Sequence, residues 1–457
     1  MEESKLLDKI YKLEISNKLY DESFCGFPMW RLFRYHTRNA YVNKETGYVA
    51  GTAAPIIVGS RRPKLISGLW QYFFKRGQLS IFMPFNRLSN INGKYIDKFT
   101  DPIIDRCFTD SEYVIIESPN YCGKYHRYHK KRTIDNENRL ISVQILYRIL
   151  IPFMPLFFGT KVKAIATKVK NAFGLEGHLE NDYYRKTAHF LAYYFFYLLW
   201  FKMLKPKRVF VVYREGYFPV IAACKYLSIP IAEFQHGITI DNTVSYTGLY
   251  DKRIDPDYFI VFGEYWKGPQ FGVSLDRIQC VGWAYKDLVT KEIEEKKRMD
   301  NETILAISSP EITDALLEAI KKISDIRNDL SFHIRLHPCE KYNEPQLNKL
   351  SQISNALLTT NTKDSATVLP LYSYVIGENS SVVYEALSYG CRVGLLNFDG
   401  LHAPIDKPGI KESFIILNKP QDIDDLLNKG ICDDESSNAF YSTFKEISFN
   451  EFIKNYM

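Results

Sequence analysis

Residues 376–397, IGENSSVVYEALSYGCRVGLLN, constrain this chain more than any other stretch. The apolar approach Tyr374, Val375 and Ile376 ends in Gly377, and Glu378, Asn379, Ser380 and Ser381 follow. Val382, Val383, Ala386 and Leu387 then recur at helical spacing, with Glu385 among them, until Gly390 closes the helix. A β-rich run over 392–398 comes at once. Strand, short polar turn, helix N-terminus and second strand make a βαβ unit, the building block of an open parallel sheet. The two serines fall where the first free backbone N–H groups of the helix point outward. Oriented amides and the helix dipole favour phosphate there. The same place suits a plain N-cap, so from this stretch alone both uses of Ser380 stand open.

Two further elements repeat the pattern. Residues 331–336, SFHIRL, alternate polar and apolar and run straight into His337 and Pro338. Proline cannot continue a central strand, so His337 sits at the strand's C-terminal end. In open α/β sheets ligands bind at that edge. Residues 230–237, PIAEFQHG, form a strand that ends in Gln235, His236 and Gly237, and the glycine permits a turn that exposes His236. Two histidines and a serine pair, each closing a βα unit, point to a site between domains. Each has a structural use as well. His337 can cap its strand through a backbone hydrogen bond, and His236 can be structural or hold an acceptor. Glu215, at the end of VVYREG, is a rival base with Asp241 and Glu378.

A chain of 457 residues exceeds one core, and two domains are the natural division. Hydrophobic residues at 46% and aromatics at 15% mark it as folded rather than disordered. The net charge of +6 hides an asymmetry. Residues 1–200 carry 30 Lys and Arg against 18 Asp and Glu, leaving 29 against 35 for the remainder. A basic first half is suited to something anionic. The eight cysteines show no CxxC spacing, which removes zinc-finger and redox motifs. Charged residues open the N-terminus, so no signal peptide is expected, and the chain reads as cytoplasmic with free thiols.

In order, residues 1–50 read as an amphipathic helical lead-in with an aromatic knot at 27–33. Strands are expected over 79–84 and 113–117, with loop and helix between. Residues 120–132, NYCGKYHRYHKKR, interleave aromatic and basic side chains. No nucleic-acid motif accompanies them, so Lys130, Lys131 and Arg132 are expected at an anionic acceptor or a lipid headgroup, not at DNA or RNA. The runs 145–158 and 186–204 are the most apolar. The second holds His189 and Lys202 and leads into a strand, which favours a buried or interfacial helix over a spanning one. From 208 the α/β rhythm is regular, with strands at 208–212, 229–234, 258–262 and 278–281. An exposed charged helix and linker at 291–301 separate these from a second set at 303–307, 331–336, 356–358, 374–377, 392–398 and 413–417. Residues 420–457 read as mainly helical.

The ordered set Gln235-His236-Gly237, Arg335-Leu336-His337-Pro338, and Ser380-Ser381 with Glu385-Ala386 and Gly390 resembles that of bacterial GT-B glycosyltransferases. It is similar in particular to the group containing capsule polysaccharide transferases, polysialyltransferases and CDP-glycerol glycerophosphotransferases. The resemblance covers 205–400 well and the first 200 residues loosely. It implies an α/β protein with two Rossmann-like domains facing each other across a cleft: an acceptor domain at 1–285, a nucleotide-sugar domain at 286–435, and a C-terminal helix at 436–457 that returns to the first domain.

The resemblance also implies roles. His337 and the Ser380/Ser381 helix end would hold the donor phosphate, with Arg335, Pro338, Glu378 and Asn379 in the same loops and Glu385 near the ribose. His236 would be the base, with Glu215 its rival and Gln235 and Asp241 on the acceptor side. An acceptor hydroxyl must lose its proton as the sugar C1 is attacked, which a histidine titrating near neutrality can accept. No DxD motif stands out and no cofactor is implied, so inverting transfer without metal is expected, with the leaving phosphate stabilised by dipoles and side chains. The donor would be a CMP-, CDP- or UDP-linked sugar. The acceptor would be a surface polysaccharide or lipid-linked saccharide (capsule, O-antigen or lipooligosaccharide), met at the inner face of the cytoplasmic membrane with its anionic lipids. Two enzyme alternatives share the fold, a CDP-alditol phosphotransferase and a UDP-sugar 2-epimerase. The epimerases usually show a Ser-Gly-Gly turn where this chain has Ser380-Ser381-Val382. A non-catalytic scaffold is the third alternative.

Overall fold

The computed structural model describes residues 3–46, 56–58, 79–85, 88–91, 93–116, 121–123, 128–129, 133–134, 137–240, 243–292, 298–338, 340–359, 363–428 and 438–457. The first sheet contains β1 (Ser80–Met83), β2 (Tyr113–Ile116), β3 (Thr133–Ile134), β4 (Arg208–Val212), β5 (Ile231–Phe234), β6 (Tyr258–Val261) and β7 (Ile278–Cys280). Their order is β7-β6-β5-β4-β1-β2-β3, and every neighbouring pair is parallel. The second sheet contains β8 (Thr303–Ile307), β9 (Ser331–Arg335), β10 (Ala356–Leu358), β11 (Tyr374–Gly377), β12 (Arg392–Leu396) and β13 (Ile415–Leu417). Its order is β10-β9-β8-β11-β12-β13, again all parallel.

Both sheets follow the doubly wound pattern in which the strand order reverses beside the first strand. That puts one switch point between β1 and β4 and the other between β8 and β11. The central strands are apolar on both faces because helices cover both faces. In β4, Val209 and Val211 meet Val162, Ile165, Tyr183, Phe201 and Ile221. These belong to α4 (Met154–Phe173), α5 (Leu179–Leu204) and α6 (Phe218–Tyr226), which follow α1 (Glu3–Asn17), α2 (Met29–Thr46) and α3 (Glu137–Leu150). The alternate residues Phe210 of β4 and Phe234 of β5 turn the other way and meet Phe449, at ring distances of 6.2 and 6.3 Å. In the second domain α7 (Thr313–Ile326) buries Leu316, Leu317, Ile320 and Ile323 against Ile304, Ala306, Phe332 and Ile334. On the opposite face α8 (Ser381–Ser388) buries Val383 and Leu387 near Leu305, Val375 and Val393.

The carboxyl edges of the two sheets face each other. Ser89 Oγ, in the segment after β1, donates to Asp364 Oδ2 at 2.6 Å, beyond β10. Lys98 Nζ lies 3.4 Å from Glu385 Oε1 on α8. Trp266, after β6, and Tyr384 bring their rings within 5.3 Å. Arg38 of α2 lies 3.7 Å from Glu311, which follows β8. This is the GT-B arrangement expected from the sequence.

Three details differ from the sequence reading. A helix not foreseen there runs over Ala284–Glu292, its start anchored on the first domain's core by buried Trp283 and Tyr285, while 293–297 of the charged helix expected at 291–301 lie outside the described residues. The two-residue edge strand β3 was not foreseen, being too short to show a period. The lead-in is not all helix either. Ser23–Phe24 and Phe27–Pro28 pair as a small hairpin between α1 and α2.

The last segment packs on the first domain. Residues 438–445 cross it with Ser442 N donating to Phe262 O at 2.9 Å, Trp283 N to Ser442 O at 2.7 Å, and Lys445 N to Val281 O at 2.7 Å. α9 (Glu446–Asn455) then lays Phe449 on the sheet. The crossing is so close that a Cβ at Gly282 (φ +82) would stand 2.1 Å from the backbone oxygen of Thr443. Backbone cannot yield as a flexible side chain can. We therefore expect Gly282→Ala to destabilise the protein by about 2–4 kcal/mol in urea unfolding and to open 438–457 to proteolysis. An unchanged melt and digest would mean that the crossing is not under this constraint.

Candidate functional site

At the first switch point the chain leaves β4 through Tyr213, a non-glycine residue at φ 68°. Such a conformation costs on the order of 1–3 kcal/mol and persists only where its surroundings impose it. Here the next residue imposes it. Arg214 is fully buried, its backbone N donates to Glu233 Oε1 at 2.7 Å, and its Nε donates to Glu233 Oε2 at 2.7 Å. Arg214 Nη1 reaches Asp255 Oδ1 at 3.1 Å, and its guanidinium lies 4.4 Å from the Phe259 ring centroid.

The same Asp255 oxygen accepts from Arg31 Nε at 3.2 Å and Nη2 at 2.9 Å. Arg31 Nη1 and Arg34 Nη1 both donate to Thr247 O at 3.0 Å, and Arg34 Nε donates to Glu14 Oε1 at 2.6 Å. Arg31, Arg34 and Arg214 thus balance Glu14, Glu233 and Asp255 in one buried network, which ties α1 and α2 to the switch point. The sequence offered a sign of it. Arginines three apart in the aromatic run MWRLFRY, and a glutamate inside the apolar strand IAEF, are charges that need partners.

Tyr213 and Glu215 emerge from this anchored turn. Glu215 is half-buried, and burial pushes its carboxyl up to about 7 despite the opposing pull of Arg31, Lys186, Arg214 and Arg34. A carboxyl poised there can exchange a proton near neutral pH. His236 follows the neighbouring strand β5. Its ring lies among aromatics, 4.2 Å from Phe85, 4.7 Å from Tyr213 and 6.0 Å from Phe99 by centroid. Its backbone N donates to Tyr246 Oη at 3.3 Å. Glu215 and His236 therefore close adjacent strands, with Tyr213 beside both.

Gln235 is corrected by its surroundings. It is buried, its Nε2 donates to Gly237 O at 2.7 Å, and its Oε1 accepts from Phe262 N at 3.0 Å. It fastens the ends of β5 and β6 instead of reaching for an acceptor. Asp241, Lys130, Lys131 and Arg132 lie outside the described residues.

The second switch point holds the remaining predicted residues. Arg335, Ile307 and Gly377 stand at one level on β9, β8 and β11, so the backbones at Arg335 and Gly377, four residues before α8, are two strand spacings, about 10 Å, apart. Ser380 is the N-cap of α8, its hydroxyl accepting from Val382 N at 3.4 Å, and Ser381 opens the helix half-exposed. Asn379 Oδ1 accepts from Tyr384 Oη at 2.9 Å. Glu378 accepts from His402 N at 2.7 Å, and burial raises its carboxyl pKa. The loop at His337 and exposed Pro338 is fixed by buried Glu340, which accepts from His337 N at 2.8 Å and from the hydroxyls of Ser308 and Thr313, each at 2.6 Å.

Arg335 is buried and donates through Nη2 to Lys363 O. Its Nη1 has no hydrogen-bond partner among the described residues. Arg34 Nη2 and Arg214 Nη2 in the buried network are likewise without a partner among the described residues, and what sets Arg335 apart is its place at the sheet's carboxyl edge, where a ligand oxygen could meet a costly unpaired N–H. Glu385 is placed differently from what the resemblance implied. It is buried, with Lys98 Nζ at 3.4 Å and Ser365 Oγ at 3.2 Å. Burial raises its carboxyl pKa against the pull of Lys98. In this arrangement it bridges the domains and presents no open face to a ribose. Lys98, Ser89 and Phe85, which complete the cleft wall, lie in a stretch whose polar composition carried no motif.

Among the described residues no group of three His, Cys, Asp or Glu side chains is set to hold a metal ion. No family model matches the sequence. No curated protein matches it either. Solved structures do show a similar chain path. UDP-GlcNAc 2-epimerase from Methanocaldococcus jannaschii aligns at 14% identity and a TM-score of 0.47, over 82% of this chain and 98% of that one. The Neisseria meningitidis UDP-GlcNAc 2-epimerase bound to UDP-GlcNAc aligns at 13% and 0.45, over 82% and 98%. S. aureus TarM, in complex with fondaparinux, alpha-GlcNAc-glycerol and UDP, aligns at 15% and 0.36, over 59% and 56%. The fold assignment rests on strand order and not on these values.

The buried network makes a prediction independent of any activity. Removing the shared acceptor by Asp255→Ala leaves Arg31 without its carboxylate and Arg214 with Glu233 alone, so the buried network carries one uncompensated positive charge. The expected loss is about 3–5 kcal/mol in urea unfolding. A loss below about 1 kcal/mol would show that the arginines find solvent or other partners.

Proposed function

We propose that this protein is a glycosyltransferase that moves a sugar from a nucleotide-sugar donor to a saccharide acceptor, with inversion and without a metal ion. The observation that carries the reading is buried Arg335, whose Nη1 has no hydrogen-bond partner among the described residues, on the same sheet edge as the α8 N-terminus. The donor's phosphates would lie between Arg335 and the first turn of α8, where a guanidinium and free backbone N–H groups stabilise the charge that grows as the glycosidic bond breaks. The acceptor hydroxyl would approach from the first domain. Its proton would pass to Glu215, with His236 as the second candidate, as its oxygen bonds to C1 and the nucleotide departs. The aromatic faces of half-buried Phe85 and Tyr213 beside His236, backed by buried Phe99, supply the apolar wall on which a sugar ring can stack. A surface polysaccharide or lipid-linked saccharide is the acceptor we favour.

Calorimetry with CMP, CDP, UDP, GDP and dTDP, with and without EDTA, tests the donor half. One nucleotide should bind, EDTA should leave it bound, and Arg335→Ala should weaken it by about 1.5–3 kcal/mol, tenfold or more. Binding of none of the five would sink the reading. Conversion of a nucleotide sugar with no acceptor present would instead identify an epimerase.

The base has its own signature. If ionised Glu215 takes the proton, kcat/KM rises with pH and levels off above about 7, where the carboxyl has lost its proton. Glu215→Gln should lower kcat by about 10²–10⁴-fold, remove that limb and leave nucleotide affinity unchanged. If the limb survives in Glu215→Gln and vanishes in His236→Ala, the histidine is the base.

A further inference from the structure

We infer that the outer face of α3 and α4 is a docking surface for an anionic lipid bilayer, lying in its interface and not spanning it. The face begins on α3 with exposed Ile145 and Ile149, continues through Phe153 and ends with Leu156 and Phe157 at the start of α4. The spacing of four, four, three and one keeps these side chains on one side of a helical path. Leu156 is 76% exposed and Phe157 67%, values that a core helix does not show. The apolar stretch Val143–Phe173 is long enough to cross a membrane, yet only 28% of its most apolar window is buried. Pro152 and Pro155 interrupt it at the turn between the helices, and the inner side, with Val162, Ile165 and Val169, belongs to the first domain's core. One face is thus committed to protein and the other to something apolar.

Charge selects the occupant. From residue 138 to residue 175 there is no Asp or Glu, while Arg139, Arg148, Lys161, Lys163, Lys168 and Lys170 are all present. Arg148 and Lys163 are exposed. Lys161 is paired with Glu22 and Lys170 with Glu180, which leaves Arg148 and Lys163 as the exposed cations beside the ridge. An apolar ridge with such cations fits an acyl and headgroup boundary rich in anionic lipid, where long basic side chains reach the phosphates while the ridge sinks between chains. A protein partner would ordinarily call for mixed charge at the rim. This inference deepens the functional reading, since a lipid-linked acceptor would be met at such a surface. It does not depend on that reading being right.

Vesicle flotation of the full chain tests it. The protein should float with equimolar phosphatidylcholine and phosphatidylglycerol vesicles, far less with phosphatidylcholine alone, and less as salt is raised. Leu156→Glu with Phe157→Glu should weaken flotation about tenfold or more, and Arg148→Glu with Lys163→Glu should weaken it and flatten the salt response. All four side chains are exposed, so an unchanged thermal melt is expected and separates lost docking from lost fold. Nucleotide binding on the same preparations should be unchanged, which keeps failure here distinct from failure of the transferase reading. Absence of flotation by the wild type, or flotation of both double variants equal to wild type, overturns the inference. So does a dimer in sedimentation that Leu156→Glu with Phe157→Glu dissolves while vesicles are ignored, because the face would then serve a second copy of the chain.

Discussion

The buried charge network at the root of the first switch point is the interaction on which the rest of the first domain depends. Three arginines and three carboxylates out of water are expensive unless every charge is met by a close opposite charge and hydrogen bonds. Here Asp255 serves two arginines at once, and Thr247 O accepts from two. Networks of this kind generally add no stability over an apolar core of equal shape. Its effect is positional. It fixes Arg214, Arg214 fixes the strained Tyr213, and the turn so defined sets Glu215 and the ring beside His236. It also explains why a helical lead-in precedes the first sheet, since α1 and α2 supply Glu14, Arg31 and Arg34.

Regular structure was legible in the sequence wherever a period or a breaker marked it. β4, β8 and β10 fall at the expected residues, and Gly390 closes α8 as its position suggested. The apolar runs of a doubly covered parallel sheet are hard to mistake once they alternate with helices. Two kinds of feature were not legible. One is side-chain direction at the edges: Gln235 and Glu385 sit beside the right motifs, but whether an amide or carboxylate faces a ligand or its own backbone depends on partners far away in sequence. The partners here, Phe262 for Gln235 and Lys98 for Glu385, lie 27 and 287 residues off. The other is the long-range charge network itself, visible in the sequence as charged residues in apolar runs but not as pairs.

On the proposed function, the two domains divide the physical problem of transfer. The second domain offers fixed positive potential, from Arg335 and the α8 N-terminus, for a group that is already anionic and grows more so. The first offers a group that can change charge, because burial places Glu215 at about 7. A fixed cation site and a titrating acid cannot share one pocket without each altering the other, since a nearby cation pulls a carboxyl pKa down. Separate sheet edges keep them apart until a substrate joins them.

That separation gives the contacts between the edges a second meaning. Lys98 and Glu385 close the cleft on the side of α8, and Ser89 and Asp364 close it near β10. Both involve carboxylates on the second domain that lie around Arg335, so the potential that Arg335 presents depends on whether the first domain is engaged. With Lys98 in place, Glu385 is neutralised by a partner of its own and competes less for the guanidinium. Were the domains to part, Glu385 would keep only Ser365, and its charge would offset Arg335 more strongly. Closure would then raise the positive potential at the phosphate site at the same moment that it brings Glu215 opposite. On that reading one lysine, Lys98, would link the two edges, and it sits in a stretch with no motif to announce it.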